Sequence, residues 1–521
     1  MNSAHFMYGN LEVGIMMSND PFTIGEIENY LQNNIANILS QPKENIDISS
    51  PLINFGFDSL HIQHFIANIE DGLQIKMDSE LIVNFENIKE LAGYLLECID
   101  EQQAKPDLNK LQEHSQKQQN KTEKTEAHDT EFKTYPPYLH LKNMQSKLGA
   151  NIFFDAQQGT SENTCLINGK EYINFTSYNY LGLASHPEVI SSSCDAIRTY
   201  GTSVSASRLV SGQKIIHQEL EDELARLLGV EDAIVFTSGH ATNVMTIAHL
   251  YGPEDLILHD ELAHNSLVLG AVYSKATRMT FPHNDWQAID DILTKDRGFY
   301  KRVLIIIEGI YSMDGDIANL KQFIKVKNRH AAWLMVDEAH SMGVLGKNGR
   351  GISEHYGINP MDVEIWMGTL SKSFASCGGY IAGKKELIEY LKYTCPGFVF
   401  SVGLPPANTA AALSSIRIMS REPERINQLK ELSQLARKTA QHYGFDIGLN
   451  ENTPILPIIL GDSQKCINTS RQCFERGVNV KPIIYPAVPE NSARLRFFIT
   501  AIHTPEQILK SFEILSQAIH H

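Results

Sequence analysis

The sequence predicts an α/β protein: a mainly parallel sheet with helices on both faces, a smaller C-terminal α+β domain, and a small all-α unit in front. Two observations predict this. From about Asp155 onward, strand-length apolar runs alternate with helical stretches, which implies βαβ units. Before them, the first hundred residues carry apolar positions at the helical period only. A polar, aromatic-poor stretch separates the two parts.

The expected strands are Asp232–Phe236, Asp255–His259, Val303–Glu308, Trp333–Asp337, Glu364–Met367 and Gly379–Ala382, with helices such as Ile216–Leu228 between them. Beyond about residue 390 a helix over Glu424–Tyr443 is followed by short mixed strands. In the front unit, Ile24, Ile27, Leu31, Ile35 and Ile38 form one amphipathic stripe. Asn45–Phe57 reads as a long loop, Leu60, Phe65, Ile66 and Ile69 as a second apolar run, and Ile88–Ile99 as a closing helix. The division expected is a tail at 1–19, a helical unit at 20–100, a linker at 101–134, a large domain at 135–390 and a small domain at 391–521.

Composition narrows the function. With 521 residues, 42% of them hydrophobic and 20% charged, the chain reads as a globular protein of more than one domain. Its longest purely aliphatic run, Val303–Ile307, is strand-length, so no membrane span is expected. The start carries no basic flank and apolar core of a secretory signal, and Met7, Met16 and Met17 leave the true start open. The cysteines, Cys98, Cys165, Cys194, Cys377, Cys395, Cys466 and Cys473, include no Cys-x-x-Cys pair. That argues against a disulfide framework and a zinc site, and a reducing cytoplasm is the expected compartment. Residues 1–100 hold 15 Asp and Glu against 3 Lys and no Arg, hence 12 of the 16 net negative charges. That excludes a nucleic-acid role for this part and suits a module read by basic patches on partner proteins.

Within the acidic unit stands Gly56-Phe57-Asp58-Ser59-Leu60, with Ser59 at an expected helix start, where a phosphodiester meets the positive end of the helix dipole. Asp-Ser-Leu alone is a helix cap. In a four-helix-sized acidic unit with a long first loop it resembles an acyl or peptidyl carrier protein domain, which implies a 4'-phosphopantetheine arm on Ser59 and a phosphopantetheinyl transferase and an acyl-loading enzyme as partners. The polar segment 101–134 then reads as a tether that raises the effective concentration of the carried group; a mere spacer has the same composition.

In the α/β part, Lys372 sits among small residues in Gly368-Thr-Leu-Ser-Lys-Ser-Phe-Ala-Ser-Cys-Gly-Gly-Tyr380, downstream of Val336-Asp-Glu-Ala-His340. A tight, partly desolvated setting of this kind suits an amine that must form a Schiff base. Further segments are Asn174-Phe-Thr-Ser-Tyr-Asn-Tyr-Leu-Gly-Leu183, Thr237–Asn243, His259–Ser266, Glu308–Asp316 and Ala493-Arg-Leu-Arg-Phe497. In this order over residues 135–521, they resemble the α-oxoamine synthase family of fold type I pyridoxal phosphate enzymes, which includes 8-amino-7-oxononanoate synthase and serine palmitoyltransferase.

The resemblance implies a site. Lys372 would carry the cofactor aldehyde and move the substrate proton, and Asp337 would hold the ring nitrogen protonated. His264 would stack on the ring, while His340 and Ser312 would lie near the phenolic oxygen. Ser238, Gly239, His240 and Thr369 would hold the phosphate, and Ser401 would reach the phosphate of a partner subunit in a homodimer. Arg496 would clamp the substrate carboxylate, with Asn179 a second substrate contact and Arg494 pairing at the surface. His240 and Asn265 stand where the family often has Phe or Tyr and Ala. No metal is implied. The implied reaction joins an amino acid, serine by the Ser177–Tyr180 segment, to an acyl thioester, with loss of CO2. Two rivals stay open: a fold type I aminotransferase acting on a carrier-bound substrate, and a non-catalytic acyl-carrier scaffold.

Overall fold

The computed structural model describes residues 23–38, 43, 46–48, 65, 66, 68, 69, 73, 87–103, 131–148 and 153–520 except 486. Its chain divides into two compact units, Met1–Gly149 and Ala150–His521. Ser59, the expected carrier serine, and positions 104–130 of the expected linker lie outside the described residues.

In the first unit, helix Ile24–Ile38 packs on helix Ile88–Gln103. Ile27, Leu31 and Ile35 are fully buried against Phe65, Ile69, Leu91 and Leu95, as the stripe requires. Ile24 is the exception: it occupies the first helical position and is exposed. Thr23 and Glu26 fix that end, the Glu26 carboxylate accepting from the Thr23 amide at 2.8 Å. A helix Pro136–Leu148 closes the unit in sequence.

Among the described residues, the second unit contains three sheets. Strands β1 (Gln157–Gln158), β2 (Thr164–Ile167) and β3 (Lys170–Asn174) begin it. The central sheet comprises β4 (Asp232–Phe236), β5 (Leu256–Asp260), β6 (Thr277–Phe281), β7 (Val303–Glu308), β8 (Trp333–Asp337), β9 (Ile365–Thr369) and β10 (Gly379–Gly383). Strands β11 (Ile455–Gly461), β12 (Val478–Asn479), β13 (Pro482–Ile483) and β14 (Ala493–Phe498) follow. The central order is β4-β10-β9-β8-β7-β5-β6, with β10 antiparallel to both neighbours. The small domain has the sheet β11-β14-β13, and β12 joins β3 in a separate sheet.

Strands β7 and β8 are buried along nearly their whole length, which is why they read as unbroken apolar runs. Strand β6, at the sheet edge, has the part-exposed sequence Thr-Arg-Met-Thr-Phe and lacks such a run. The reversed β10 was expected as a strand, but its direction is set by pairing with β4 and β9.

Two buried ionic clusters tie the unit together. The Arg208 guanidinium meets Glu221 through two hydrogen bonds of 2.6 and 3.0 Å, with both side chains almost wholly enclosed. Glu221 also accepts from the Val235 amide at 2.9 Å, so it anchors helix Ile215–Leu228 to β4. The second cluster holds His283 between Asp260 and Asp316, at 2.9 Å each. Burial alone would lower the His283 pKa; the two carboxylates outweigh it and raise it to about 10.

A raised histidine contributes its stability fully below its unfolded pKa and loses it as pH rises through the folded value. We expect His283→Gln to lose about 1.5–3 kcal/mol at neutral pH. Urea titrations from pH 6 to pH 10 should show the wild-type advantage over this variant shrinking toward pH 10; a constant gap would refute the assignment.

Candidate active site

Five chain segments leave the C-terminal ends of β4, β5, β7, β8 and β9 and line one cavity of about 370 Å³. The chain runs from β5 to the edge strand β6 and then returns to β7 on the other side of β5, the topological reversal where open α/β sheets bind ligands. The lining brings together Ser238, Gly239, His240, His264, Asp337, His340, Thr369 and Lys372 of the expected residues.

Lys372 follows β9 on a loop pinned at both flanks. The Leu370 amide donates to the Gly378 carbonyl at 2.9 Å, Ser373 Oγ to the Met342 carbonyl at 2.7 Å, and Ser376 Oγ to the Asn408 carbonyl at 2.6 Å. Burial lowers the Lys372 pKa to about 8, against the opposing pull of Asp337 and Glu308. About a tenth of this amine is therefore unprotonated at pH 7, far more than for an ordinary lysine. Glu308 and Asp337 are register partners across β7 and β8. Burial first, and the Asp337 charge second, push the Glu308 carboxyl well above its ordinary value. Glu308 Oε1 accepts from the His264 amide at 2.6 Å.

The Asp337 carboxylate is oriented by two donors, the Ala339 amide at 2.9 Å and Asn243 Nδ2 at 2.8 Å. His340 Nδ1 meets the Tyr180 hydroxyl at 2.7 Å. Burial, with the positive charges of Lys372 and Arg496, holds the His340 pKa well below normal. Burial also raises Tyr180 far above the usual phenol value, so a neutral hydroxyl donates to a neutral imidazole.

Opposite these groups, helix Gly239–Leu250 points its N-terminus into the cavity, with Ser238 as its cap. Free amides and the helix dipole at that end suit an anion. Close approach requires glycine here: a Cβ on Gly239 would stand 2.9 Å from Thr369 Oγ1, and one on Gly379 only 2.7 Å from Gly239 Cα. Amine, carboxylate, ring-sized space and anion cradle together fit pyridoxal phosphate.

Four expected residues behave differently. Asn179 does not line the cavity: its side chain accepts from the Leu183 and Ala184 amides and donates to the Ser161 carbonyl, closing a turn. Its neighbour Tyr178 reaches the cavity instead. Ser312 is not among the lining residues; its carbonyl accepts from Arg496 at 2.8 Å. Ser401 lines a separate small pocket beside Arg208 and Phe398. Arg494, expected to pair at the surface, is buried and pairs with Asp314 at 2.6 Å, because β14 is covered on both faces.

Arg496 is half-buried, its guanidinium over the Phe498 ring at 4.8 Å, and it makes no ion pair among the described residues. Its Nε is buried without a hydrogen-bond partner. A cation so placed suits a ligand carboxylate. The sequence reading left out Asn243, Ser266 and Glu308 as site residues, although all three line the cavity. For Asn243 a signal existed: it follows Gly239 by four positions, so it shares the face of the helix start.

The family model Aminotransferase class I and II matches residues 170–515, and the model Phosphopantetheine attachment site matches residues 29–95. The chain is 39% identical over 358 residues to an 8-amino-7-oxononanoate synthase from Thermoanaerobacter pseudethanolicus, covering 68% of this chain and 90% of that one. It is 37% identical over 375 residues to a serine palmitoyltransferase from Sphingobacterium spiritivorum, covering 72% and 92%. Among solved structures, a serine palmitoyltransferase from S. paucimobilis with bound PLP and myriocin superimposes with a TM-score of 0.71 at 29% identity, over 73% of this chain and 97% of that one. The chain belongs to the α-oxoamine synthase family, fold type I pyridoxal phosphate enzymes that condense an amino acid with an acyl thioester and release CO2, and a phosphopantetheine attachment domain precedes its catalytic part.

Proposed function

We propose that this chain condenses L-serine with an acyl thioester carried on the 4'-phosphopantetheine of Ser59, giving an α-aminoketone, CO2 and the free carrier thiol. The observation that carries the reading is the Lys372 amine with its lowered pKa, together with the Arg496 guanidinium, which lies outside the cavity lining but close enough for its charge to act on Lys372 and has no protein carboxylate among the described residues. Pyridoxal phosphate supplies the electron sink for the substrate's Cα. Lys372 takes the Cα proton, the Cα–acyl bond forms as the C–S bond breaks, the carboxylate leaves as CO2, and a proton returns to Cα. Arg496 would orient the substrate carboxylate, and Asp337 would stabilise positive charge at the ring nitrogen. Ser238, Gly239, His240 and Thr369 would hold the phosphate, His264 would cover the ring, and His340 would present a neutral imidazole to the phenolic oxygen.

Support for serine comes from the Ser177–Tyr180 segment and from Tyr178 in particular. Its ring packs edge-on against Phe498 at 5.4 Å, and Lys372 Nζ lies 5.8 Å from its centroid. Tyr178 thus brings a phenol to the cavity lining beside the amine, and a substrate hydroxyl is selected only where the site offers it a partner. Support for the carrier-borne thioester is the attachment domain within the same chain. We also assign a homodimer, because Ser401 stands between the exposed Phe400 and Val402, near exposed Leu209 and Val210, an apolar surface suited to a second copy.

The test uses full-length protein whose carrier has been loaded with an acyl group, given serine, alanine or glycine separately, with ketone and CO2 as readouts. Serine should exceed the others by about tenfold or more. Ser59→Ala should lose carrier modification and all product from carrier-borne acyl groups, yet keep its bound cofactor. Preference for alanine or glycine overturns the serine assignment; full activity of Ser59→Ala with a free thioester, without gain from loading, overturns the carrier assignment. Amino exchange with a keto acid and no CO2 would indicate a transaminase.

A further inference from the structure

Along the cavity wall runs a chain of three hydrogen bonds that the roles above do not use. Asn243 Nδ2 donates to Asp337 Oδ2 at 2.8 Å and to Ser266 Oγ at 2.9 Å; Ser266 Oγ meets His264 Nδ1 at 2.7 Å. We propose that Asn243 is a positioning residue of the reaction, holding the Asp337 carboxylate and, through Ser266, the His264 imidazole in one fixed orientation.

The direction of each bond follows from its neighbours. A carboxylate only accepts, so the nitrogen of the Asn243 amide must face Asp337. The second N–H of the same nitrogen goes to Ser266, whose oxygen thereby accepts and whose own proton points to His264. The Ser266 amide also donates to His264 Nδ1, at 3.2 Å. With two donors aimed at it, Nδ1 is the unprotonated nitrogen, and a neutral His264 carries its proton on Nε2. The arrangement leaves Asn243 Oδ1 buried without a partner, on a residue only 1% exposed. An amide that sacrifices its own acceptor is oriented by a stronger demand, and the negative charge of Asp337 supplies it.

The local fold sets this geometry. Asn243 lies one turn into helix Gly239–Leu250, and Ser266 is the second residue of helix Asn265–Ser274, which packs tightly on the first. A Cβ on Gly270 would come within 3.1 Å of the Asn243 carbonyl. The charged and titratable groups around the pair are Lys372, Arg496, His240 and Glu308 facing His264, and Glu308, Lys372, Glu338 and Tyr380 facing Asp337.

Asn243→Asp and Asn243→Ala separate this role from packing. Aspartate matches asparagine in shape but replaces the donor by an acceptor facing a carboxylate; alanine only removes the group. Full-length apo-protein of each variant is titrated with pyridoxal phosphate by absorbance at pH 8 and pH 6, with circular dichroism as the check that each variant is folded. At pH 8 Asn243→Asp should bind about tenfold more weakly than wild type and more weakly than Asn243→Ala, and should regain affinity at pH 6 as one carboxyl takes a proton. Ser266→Ala should shift the pH midpoint of the bound cofactor's visible band by about half a unit while keeping affinity within about threefold. Asn243→Asp binding as well as or better than Asn243→Ala at pH 8, with no recovery at pH 6, overturns the proposal, as does a Ser266→Ala midpoint equal to wild type. If Asn243→Asp does not fold, the Ser266→Ala midpoint decides.

Discussion

Lys372→Ala should lower product formation by about 10³-fold or more, and borohydride reduction, which fixes the cofactor on Lys372 in wild type, should leave the variant unlabelled. The size of the effect follows from two duties resting on one amine. It anchors the cofactor covalently, and it is the proton acceptor for Cα; among the described residues of the cavity no other amine is present to replace it. Lys372→Arg should be no better, since a guanidinium stays protonated at any working pH. Attachment of pyridoxal phosphate to wild-type apo-protein should accelerate with pH up to about 8, the value burial gives this amine, and level off above it. Stopped-flow absorbance reads that profile. A midpoint near the ordinary lysine value would mean that the amine is not desolvated as described.

Glu221→Ala should destabilise the catalytic unit by about 3–5 kcal/mol, enough to leave much of the protein insoluble when expressed at 37 °C. The cost comes from what remains. Arg208 would stay enclosed, stacked 5.1 Å over Phe398, with only the Gln213 side-chain oxygen at 2.7 Å as a polar partner. The Val235 amide would lose its acceptor as well. Replacing both partners by apolar residues, Arg208→Met with Glu221→Leu, should recover most of the loss, because no buried charge is then left alone. Urea denaturation of the three proteins measures it; an additive double mutant would show that the two residues do not act as a pair.

Much of this architecture could be read from the chain because its determinants are local. Val303–Ile307 and Leu334–Val336 are buried on both faces, so they announce themselves as apolar runs, and the residues just past them carry the chemistry. Strand β6 escaped because an edge strand alternates and is half polar. Side-chain direction escaped more often. Tyr178 and Asn179 are adjacent, and only the turn that binds the Asn179 amide decides which of them faces the cavity. Arg494 and Arg496 lie two positions apart on β14 and so share one face, and both reach the same segment, Arg494 Nη1 donating to Asp314 and Arg496 Nη1 to the Ser312 carbonyl; the partner of Arg494 is therefore this buried carboxylate and not a group at the surface. Glu308 and Asn243 were hidden for another reason: their roles come from Asp337, a neighbour across the sheet for one and from a different element for the other, so that spacing places Asn243 on the face of the helix start but reveals the carboxylate contact of neither.

The pairing of β3 with β12 brings Asn174 beside Asn479, 305 positions later in the chain. During synthesis, then, β3 can pair with β2 at once, but its other edge stays open until nearly all of that unit has been translated, since long-range contacts form only when both ends exist. Lys372, Asp337 and the helix starting at Gly239 come off the ribosome well before that, and Arg496 among the last. A nascent chain can thus assemble the residues that hold the cofactor before it owns the group that recognises a substrate, and a message truncated before position 478 yields a polypeptide whose opening sheet lacks the strand that seals it.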